Sequence, residues 1–309
     1  MNNIKTKFSI KDLENLSGIK AHTIRIWEKR YNLFEPNRTE TNIRYYSLAS
    51  LQKLLNITYL NNNGYKVSKI AQLKSEEIPI ITKKIALSKG INSHAKNAFK
   101  MSMINFDQSL FYNTFNDLEK KYSFHDIFYD VFVPLLSDIG LLWQTDTITP
   151  AHEHFITGLI KQKILAYTDK AVNALKPNPN TKTFVLFLPD NEIHELGLLF
   201  INYEITLKGL QSIYLGQSVP IDSLEYLLDY YKEITFISSF TVKPEKDYIN
   251  TYLDELTSKV LNNSKNTLLV SGALVEHIDF SKISSKIKTF KTTKEVVGNI
   301  NNRQMQINQ

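Results

Sequence analysis

A short segment in the second half of the chain combines residue types that could hold a ligand. Glu192 and His194 follow an apolar run at 183–188 and a Pro189-Asp190-Asn191 turn, and a helical pattern begins beyond Gly197. A strand, a loop carrying His and a helix opened by Gly form the phosphate- or cofactor-facing edge of an open α/β sheet. Three fixed positions also recur by chance in long chains, so a surface histidine on such a loop is an equally good interpretation of this segment alone.

The overall composition is that of a globular protein. At 309 residues the chain predicts two or three domains. Hydrophobic residues make up 42% and charged residues 22%, which excludes a disordered or fibrous chain. The absence of cysteine excludes disulfides, thiolate nucleophiles and cysteine-based zinc or iron–sulfur sites. No apolar run reaches the ~18 residues of a membrane span, and the start lacks the apolar core of a secretory signal, so we expect a cytoplasmic protein with no membrane partner.

The positive charge is concentrated in the first quarter of the chain. The formal net charge is +6, and residues 1–75 hold 13 Lys and Arg against five acids, while the remaining residues are slightly acidic as a group. A basic module in an otherwise acidic chain is expected when that one module contacts a polyanion.

Residues 1–75 show the pattern of a helix-turn-helix followed by a wing. Ser9 can cap a helix over 10–16, Ser17-Gly18 breaks it, and a second helix runs from Ala21 to about Lys29. This arrangement is sized to place its second helix in the DNA major groove. Two extended pieces around a polar tip, 33–38 and 42–46, predict a β-wing. A helical protein-interaction module is the alternative, and order, spacing and charge together favour DNA binding.

Seven residues of this module are predicted to contact DNA. The second helix would face base edges or phosphates and the wing would clamp the flanking backbone, with phosphate contacts dominating the affinity. The set is His22, Thr23, Arg25, Lys29, Arg38, Arg44 and Tyr45. Arg30 is equally compatible with an ion pair to Glu28 or Glu35.

Residues 76–176 are predicted to form a four-helix bundle. Residues 78–80 and 88–93 are interpreted as its connection to the first module. Four amphipathic patterns with short connections then follow, which is typical of an antiparallel bundle. They cover 93–104, 107–121, 124–143 and 149–175.

Trp143 stands nine residues before the pair Glu153-His154. Taken singly, Trp143 predicts a core side chain, and Glu153 is an acid favoured by the dipole at a helix N-terminus. His152 and His154 also raise the hypothesis of a metal site, but positions i and i+2 of a helix point apart, which argues against it.

Residues 181–299 alternate strand and helix patterns, and 300–309 form a polar tail that is predicted to be disordered. Five βα units predict a parallel, doubly wound, flavodoxin-like (Rossmannoid) sheet with ligands at the carboxyl ends of its strands. Besides His194, these ends carry Val219, Ser238 and Gly272. A receiver-like domain shares this topology, but the acidic cluster expected after its first strand is missing, and no strand is followed by a dinucleotide-binding G-x-G-x-x-G. The predicted fold class is therefore multi-domain α and α/β.

The first module resembles the winged helix of MerR-type transcription regulators. This resemblance is carried by Thr23-Ile24-Arg25-Ile26-Trp27-Glu28 with Tyr31, by Pro36-x-Arg38 and Arg44-x-Tyr46, and by Gly64-Tyr65-x-Val67-x-x-Ile70. Further along, Glu192-x-His194-x-x-Gly197 resembles the cobalamin-binding signature. Trp143-x9-Glu153-His154 resembles the cap motif of the light- and cobalamin-linked branch of these regulators, the CarH/LitR-like photoreceptor family. The motifs follow in order over nearly the whole chain.

The resemblance implies a transcription regulator, not an enzyme, that binds adenosylcobalamin or another cobalamin, with His194 ligating the cobalt. The implied cofactor-binding residues are Glu192, His194, Gly197, Trp143, Glu153, His154, Val219, Ser238 and Gly272. The implied partners are double-stranded operator DNA, further copies of the chain in a dimer or tetramer, and RNA polymerase. As in the family, light would break the cobalt–carbon bond, disassemble the oligomer and derepress genes.

Two residues depart from the family pattern. Gln144 stands where a His can become the second cobalt ligand after illumination, and Ser271-Gly272 replaces a Gly-Gly pair. These departures favour an alternative, a MerR-type regulator whose C-terminal half binds no cobalamin and acts through protein contacts or another ligand. A cobalamin-dependent methyltransferase is a third hypothesis, which would need a substrate domain for which the chain has no room.

Overall fold

The structure is a computed structural model that describes residues 7–88, 92–145, 147–174, 182–262 and 265–307. The side chains of 83–84, 86–88, 92–93, 143–144 and 302–307 are outside this description. The chain divides into two compact units, Met1–Leu159 and Ile160–Gln309. Because the first unit contains both the basic module and most of the helical module, the predicted boundary at residue 75 stays a prediction.

The basic module is a winged helix-turn-helix. Helix α1 (Ile10–Ser17) starts with a capping box between Ser9 and Asp12. It ends at Gly18, which has a φ of 75°, a left-handed conformation that glycine adopts easily because it has no Cβ. The remaining elements are β1 (Lys7–Phe8), α2 (Ala21–Tyr31), β2 (Asn37–Arg38), β3 (Arg44–Ser47), α3 (Leu48–Asn62) and α4 (Val67–Ile70). Both predicted helices and the wing are confirmed, and α2 runs two residues further than expected.

The wing differs from the prediction in two details. Strand β1 pairs antiparallel with β3, so the sheet has three strands in the order β1-β3-β2 rather than two. At the tip, which lacks glycine, Asn42 adopts a φ of 63°. Asparagine tolerates this left-handed conformation better than most residues, so it takes the place that glycine would occupy.

The helical module contains the four predicted helices and one more. Helix α5 (Glu77–Ser88) occupies the stretch that was predicted to be a connection. That prediction was wrong because Pro79 lies in the first helical turn, where a missing N–H is tolerated. The bundle itself consists of α6 (Asn92–Asn105), α7 (Gln108–Glu119), α8 (Phe124–Ile127), α9 (Val133–Gln144) and α10 (Pro150–Ala174).

Aromatic rings fill the bundle core. Phe111 and Phe115 each stack on Phe132, and Phe99 lies against both Phe111 and Phe132 with ring centroids 5.0 and 5.4 Å away. Phe132 belongs to a π-helical turn, Phe128–Phe132, that joins α8 to α9. The turn precedes Pro134, which has no N–H to continue a regular helix, so the single predicted helix over 124–143 contains this irregularity.

The second unit is a five-stranded parallel sheet in the order β5-β4-β6-β7-β8, the flavodoxin-like order that was predicted. Its strands are β4 (Thr183–Phe187), β5 (Ser212–Gly216), β6 (Ile234–Ser239), β7 (Thr267–Ser271) and β8 (Ile287–Thr289). Helices α11 (Leu196–Thr206) and α14 (Thr293–Ile307) cover one face, and α12 (Ile221–Glu225) and α13 (Ile249–Leu256) cover the other. Strand β4 is buried at every position, as expected for the centre of such a sheet.

Two helix boundaries correct the sequence analysis. Helix α14 continues to Ile307, so the predicted disordered tail is helical over its described part, extending the turn in which Val296, Val297 and Ile300 pack on the sheet. Helix α13 begins at Ile249, whereas the alternating pattern of the sequence predicts a helix from Pro244 to Leu261. Among the residues that the structure describes, no helix is both long and apolar enough to cross a membrane.

Candidate functional site

The carboxylate of Glu192 lies at the carboxyl end of strand β4 and is completely buried. Its Oε1 accepts hydrogen bonds from the backbone N–H groups of Ile193 and His194 at 2.9 and 3.0 Å. Its Oε2 accepts three more from the N–H groups of residues 241–243, at 2.7–3.1 Å. A buried carboxylate needs such partners, and here it joins the loop after β4 to the loop after β6.

Glu192 also orients the imidazole of His194. Its Oε1 lies 2.6 Å from Nδ1 of His194, whose side chain is 45% exposed. A carboxylate only accepts, so Nδ1 must carry the proton and the lone pair of the neutral ring is at Nε2. A carboxylate bonded to the second ring nitrogen is the usual support of a metal-ligating histidine.

The charge of Glu192 is strongly stabilised. Burial by itself would raise the pKa of this carboxyl, but the hydrogen bonds from His194 and from the backbone of Lys243 and Val242 outweigh burial and lower the pKa to about 2. The carboxylate of Glu192 is therefore ionised at neutral pH.

A second buried carboxylate, Glu195, follows His194 directly. Its Oε1 accepts from Nζ of Lys161 at 2.5 Å and from Nε2 of Gln217 at 2.7 Å, and its Oε2 accepts from the hydroxyl of Tyr214 at 2.8 Å. Burial, and then the hydrogen bond to this carboxylate, raise the pKa of Tyr214, so its hydroxyl stays a donor. Helix α10, strand β5 and the following loop thus all hold the residue after His194.

The loop after β6 is part of the site and was missed in the sequence analysis. It contributes the backbone N–H groups of 241–243. Almost every residue type has such a group, so the sequence does not reveal this role. Val242 is 56% exposed and Ile193 is 58% exposed, so each carries an apolar side chain at the surface beside the Glu192 bonds. The one signal available was topological, since β4 and β6 are neighbours and their carboxyl ends meet at one edge.

Ser238 and Val219, which were predicted to contact the cofactor, are both buried by other residues of the sheet domain. Ser238 is completely buried, and its hydroxyl donates to the carbonyl of Phe187 at 2.9 Å. Val219 packs in the core against the α12–α13 face, and its N–H donates to the carbonyl of Leu188. Their role toward a cofactor stays a prediction.

Gly197 and Gly272 both stand where a side chain is sterically restricted. Gly272 has a φ of 109°, and a Cβ there would lie 2.3 Å from the carbonyl oxygen of Phe240. A Cβ at Gly197 would lie 3.0 Å from Thr293, where α11 packs on α14. Packing within the sheet domain therefore explains both glycines without a ligand. The hydroxyl of Ser271 is buried with no hydrogen-bond partner among the described residues.

In the first unit, Glu153 and His154 lie in the first turn of α10, half-buried and exposed respectively. His152 faces the opposite way, buried against the ring of Phe106 at 4.7 Å and bonded through Nδ1 to the Thr149 hydroxyl. The two histidines, at positions i and i+2 of the helix, point apart as expected, which argues against a His152–His154 metal site. Trp143 and Gln144 end α9, and the side-chain predictions made for them fall outside the described residues.

The predicted DNA-contacting residues lie on helix α2 and on the wing, and most of them are exposed. His22, Arg25 and Lys29 are exposed on α2, as are Arg38 and Arg44 on the wing. Thr23 and Tyr45 are half-buried, and Nζ of Lys7 lies 4.9 Å over the Tyr45 ring.

Glu28 on α2 contacts two residues of the wing strand β3. It pairs with Nε of Arg44 at 3.4 Å and accepts from the hydroxyl of Tyr46, whereas Arg30 lies over the ring of Tyr31. The suggested Arg30 pairing with Glu28 or Glu35 does not occur among the described contacts.

A basic winged helix, a helical bundle and a sheet domain with a carboxylate-oriented histidine define a class, DNA-binding regulators that carry a further α/β domain. Residues 8–77 match the family described as MerR HTH family regulatory protein, and residues 95–167, which cover α6 to α10, match the B12 binding domain. The chain is a MerR-type transcription regulator that carries a B12-binding domain.

Two curated relatives support this assignment over most of the chain. The HTH-type transcriptional repressor CarH of Myxococcus xanthus is 26% identical over 216 residues, 68% of this chain and 70% of that protein. The HTH-type transcriptional repressor CarA of the same organism is 28% identical over 225 residues, 70% of each chain. Both are transcription regulators rather than enzymes.

A solved structure supports the fold. The monomethylamine corrinoid protein of Methanosarcina barkeri aligns with 65% of this chain and 94% of its own, with a TM-score of 0.50 and 14% identity. At this identity the likeness shows the fold alone.

The loop around His194 fits a corrinoid. Among the described residues, no three His, Asp or Glu side chains converge to cage a bare ion. A cobalt ion that is already held by a macrocycle would need few ligands from the protein, and His194 offers an imidazole oriented by Glu192. The exposed side chains of Ile193 and Val242 suit an apolar ring surface.

Proposed function

We propose that this protein regulates transcription by binding operator DNA through its winged helix and adenosylcobalamin through its C-terminal half. His194 would be the axial cobalt ligand, and Glu192, Gly197, Val219, Ser238 and Gly272 would form or shape the lower part of the site. Trp143, Glu153 and His154 would cover the upper face. Bound adenosylcobalamin would supply a cobalt–carbon bond that light can break.

The observation that supports this proposal most directly is the hydrogen bond between Glu192 and Nδ1 of His194. A surface histidine needs no buried carboxylate, and burying one is expensive unless it is fully bonded. Glu192 accepts six hydrogen bonds, five of them from the backbone, and the sixth sets the tautomer of an imidazole that is nearly half exposed. This arrangement supports the proposal because it would orient Nε2 for ligation and restrict rotation of the ring.

Cobalt ligation is tested by absorbance spectroscopy. The full chain is incubated in the dark with hydroxocobalamin or adenosylcobalamin and desalted. The wild type should retain cobalamin with a spectrum shifted from that of free cofactor, and His194→Ala should lose that shift. His125→Ala, which changes a partly exposed histidine on α8, should behave like the wild type. A wild type that retains no cobalamin, or a His194→Ala spectrum identical to it, would contradict the proposal.

The regulatory half is tested by gel filtration and operator binding with adenosylcobalamin, in the dark and after illumination. We expect a dark oligomer that binds DNA and a smaller, weakly binding species after light. Identical behaviour under all conditions would contradict regulation by light. Whether the protein binds the cofactor would still be decided by the absorbance spectra.

A second candidate keeps DNA binding and drops the cofactor. The hydroxyl of Ser238 is occupied by the Phe187 carbonyl and the Gly272 backbone lies against Phe240, which favours a closed sheet edge in place of an open tail groove. Under this alternative the protein responds through protein contacts or another ligand. The desalting experiment separates the two, since this candidate predicts no retained cobalamin.

A further inference from the structure

The side chain of Lys161, on helix α10, bonds to the residue that follows His194 in the chain. Nζ of Lys161, in the part of α10 that belongs to the second unit, lies 2.5 Å from Oε1 of Glu195. The Lys161 side chain is 43% exposed and that of Glu195 is 9% exposed. The ion pair therefore reaches from partly solvated helix surface into the buried base of the loop.

Glu195 sits in a position from which it controls its neighbour. It is the residue before α11, and its carbonyl accepts from the N–H of Leu199 at 2.8 Å, so its backbone belongs to the helix start. Gln217 donates both to the Glu195 carboxylate and to the carbonyl of Ile193, at 2.7 and 3.1 Å. His194 is thus clamped on its N-terminal side by Glu192 and the Ile193 carbonyl, and on its C-terminal side by Glu195.

The contributions to this clamp are unequal. Tyr214 and Gln217 belong to the sheet domain and approach Glu195 from β5 and its loop. Lys161 brings the one cation that the structure places on this carboxylate, and it comes from a different layer of the fold. A buried carboxylate that loses its cation is left with neutral donors, so the loop would be expected to relax toward solvent.

We propose that Lys161 is a positioning residue that, through Glu195, lets helix α10 set the geometry of His194. Displacement of α10 loosens the loop, and docking of α10 tightens it. The functional half of this inference rests on the proposed ligation by His194, because it makes the strength of cobalt ligation depend on the placement of α10. The structural half, that Lys161 orders the loop, stands without any cofactor.

The structural half is tested by hydrogen–deuterium exchange of the full chain without cofactor. Lys161→Met keeps the length and apolar stem of the side chain but removes the charge. It should raise the exchange rate of peptides covering 190–197 by roughly ten-fold, because the equilibrium constant for local opening of the loop should rise when the ion pair is lost. Lys161→Arg should restore protection. Lys170→Met is the matched control, since Lys170 lies on the same helix over the Tyr167 ring, away from Glu195. Unchanged exchange in Lys161→Met would overturn the inference.

The functional half is tested by hydroxocobalamin titration followed by absorbance. Lys161→Met should weaken binding by roughly ten-fold and reduce the shifted spectrum, as loss of an outer-shell partner commonly does, while Lys170→Met should not. Equal affinity of Lys161→Met and wild type would overturn the link to ligation. If the wild type binds no cobalamin, the proposed function fails, and the exchange experiment still decides whether Lys161 orders the loop.

Discussion

The carboxylate of Glu28, on the predicted recognition helix α2, accepts a hydrogen bond of 2.9 Å from the hydroxyl of Tyr46 on strand β3. Tyr46 is completely buried, and its pKa is raised first by burial and then by this bond, so the hydroxyl remains the donor. The contact ties helix and wing into one rigid unit. Since both elements are predicted to contact the same stretch of duplex, we expect their relative placement to affect DNA binding.

Tyr46→Phe should therefore weaken both the fold and DNA binding. It removes the donor to a mostly buried carboxylate, for which we expect a loss of roughly 1–3 kcal/mol in the free energy of unfolding. Urea denaturation measures this loss, and a fluorescence titration with duplex DNA measures the affinity. Tyr65→Phe, at a tyrosine that is 40% exposed, should change neither quantity. Equal stability of Tyr46→Phe and wild type would show that the bond to Glu28 contributes nothing.

Arg25→Ala should reduce the salt dependence of DNA binding. Arg25 is exposed on α2, and if it contacts a phosphate its removal should lower the slope of log K against log salt by about 1. If it reads a base edge instead, the slope should stay and sequence preference should relax. Lys246→Ala, at an exposed lysine of the second unit, is the control. An unchanged slope together with unchanged preference would remove Arg25 from the interface.

Glu192→Gln should destabilise the second unit at neutral pH and lose this effect in acid. The folded pKa of about 2 lies below the ordinary 4.5, so the ionised carboxylate contributes stability that is fully present above about pH 4.5. This contribution, roughly 3 kcal/mol, is lost as the pH falls from 4.5 toward 2. Urea unfolding of both proteins across this range measures the difference. A gap between them that persists at pH 2 would contradict the assignment.

Gly272→Ala should be strongly destabilising, whereas Gly298→Ala should not. At Gly272 a Cβ would overlap the backbone of Phe240 and the φ of 109° is unfavourable for alanine, so we expect a loss above ~3 kcal/mol or no soluble protein. At Gly298, inside α14, no atom lies within 4 Å of an added Cβ, and alanine should stabilise by up to about 1 kcal/mol. Thermal unfolding of the two variants compares them directly.

Local patterns were sufficient to predict most of the fold. Ser9 caps α1 where expected, and the alternating strand and helix patterns predicted the parallel, doubly wound sheet. The errors came from elements stabilised at a distance. Helix α5 tolerates Pro79 in its first turn, and α14 extends through 300–307 because its earlier residues are anchored on the sheet.

For the candidate site, residue types indicated what could bind, and tertiary structure decided what is held in place. The spacing of Glu192, His194 and Gly197 identified the loop from the sequence. The N–H groups of 241–243 come from a loop some fifty residues away, and they fold against Glu192 only because β4 and β6 are neighbours.

Lys161 and Glu195 illustrate the same division. Each is an ordinary charged residue in its own segment, and no local pattern links them. Their ion pair exists because the folded chain brings Nζ of Lys161 within 2.5 Å of Oε1 of Glu195, 34 residues further along the sequence. The sequence alone therefore determined the helix-turn-helix, the sheet topology and the identity of the ligand-bearing loop. The tautomer of His194, the ionisation of Glu192 and the grip of α10 on Glu195 were decided only by tertiary structure, because hydrogen bonds and ion pairs depend on distances that local sequence does not encode.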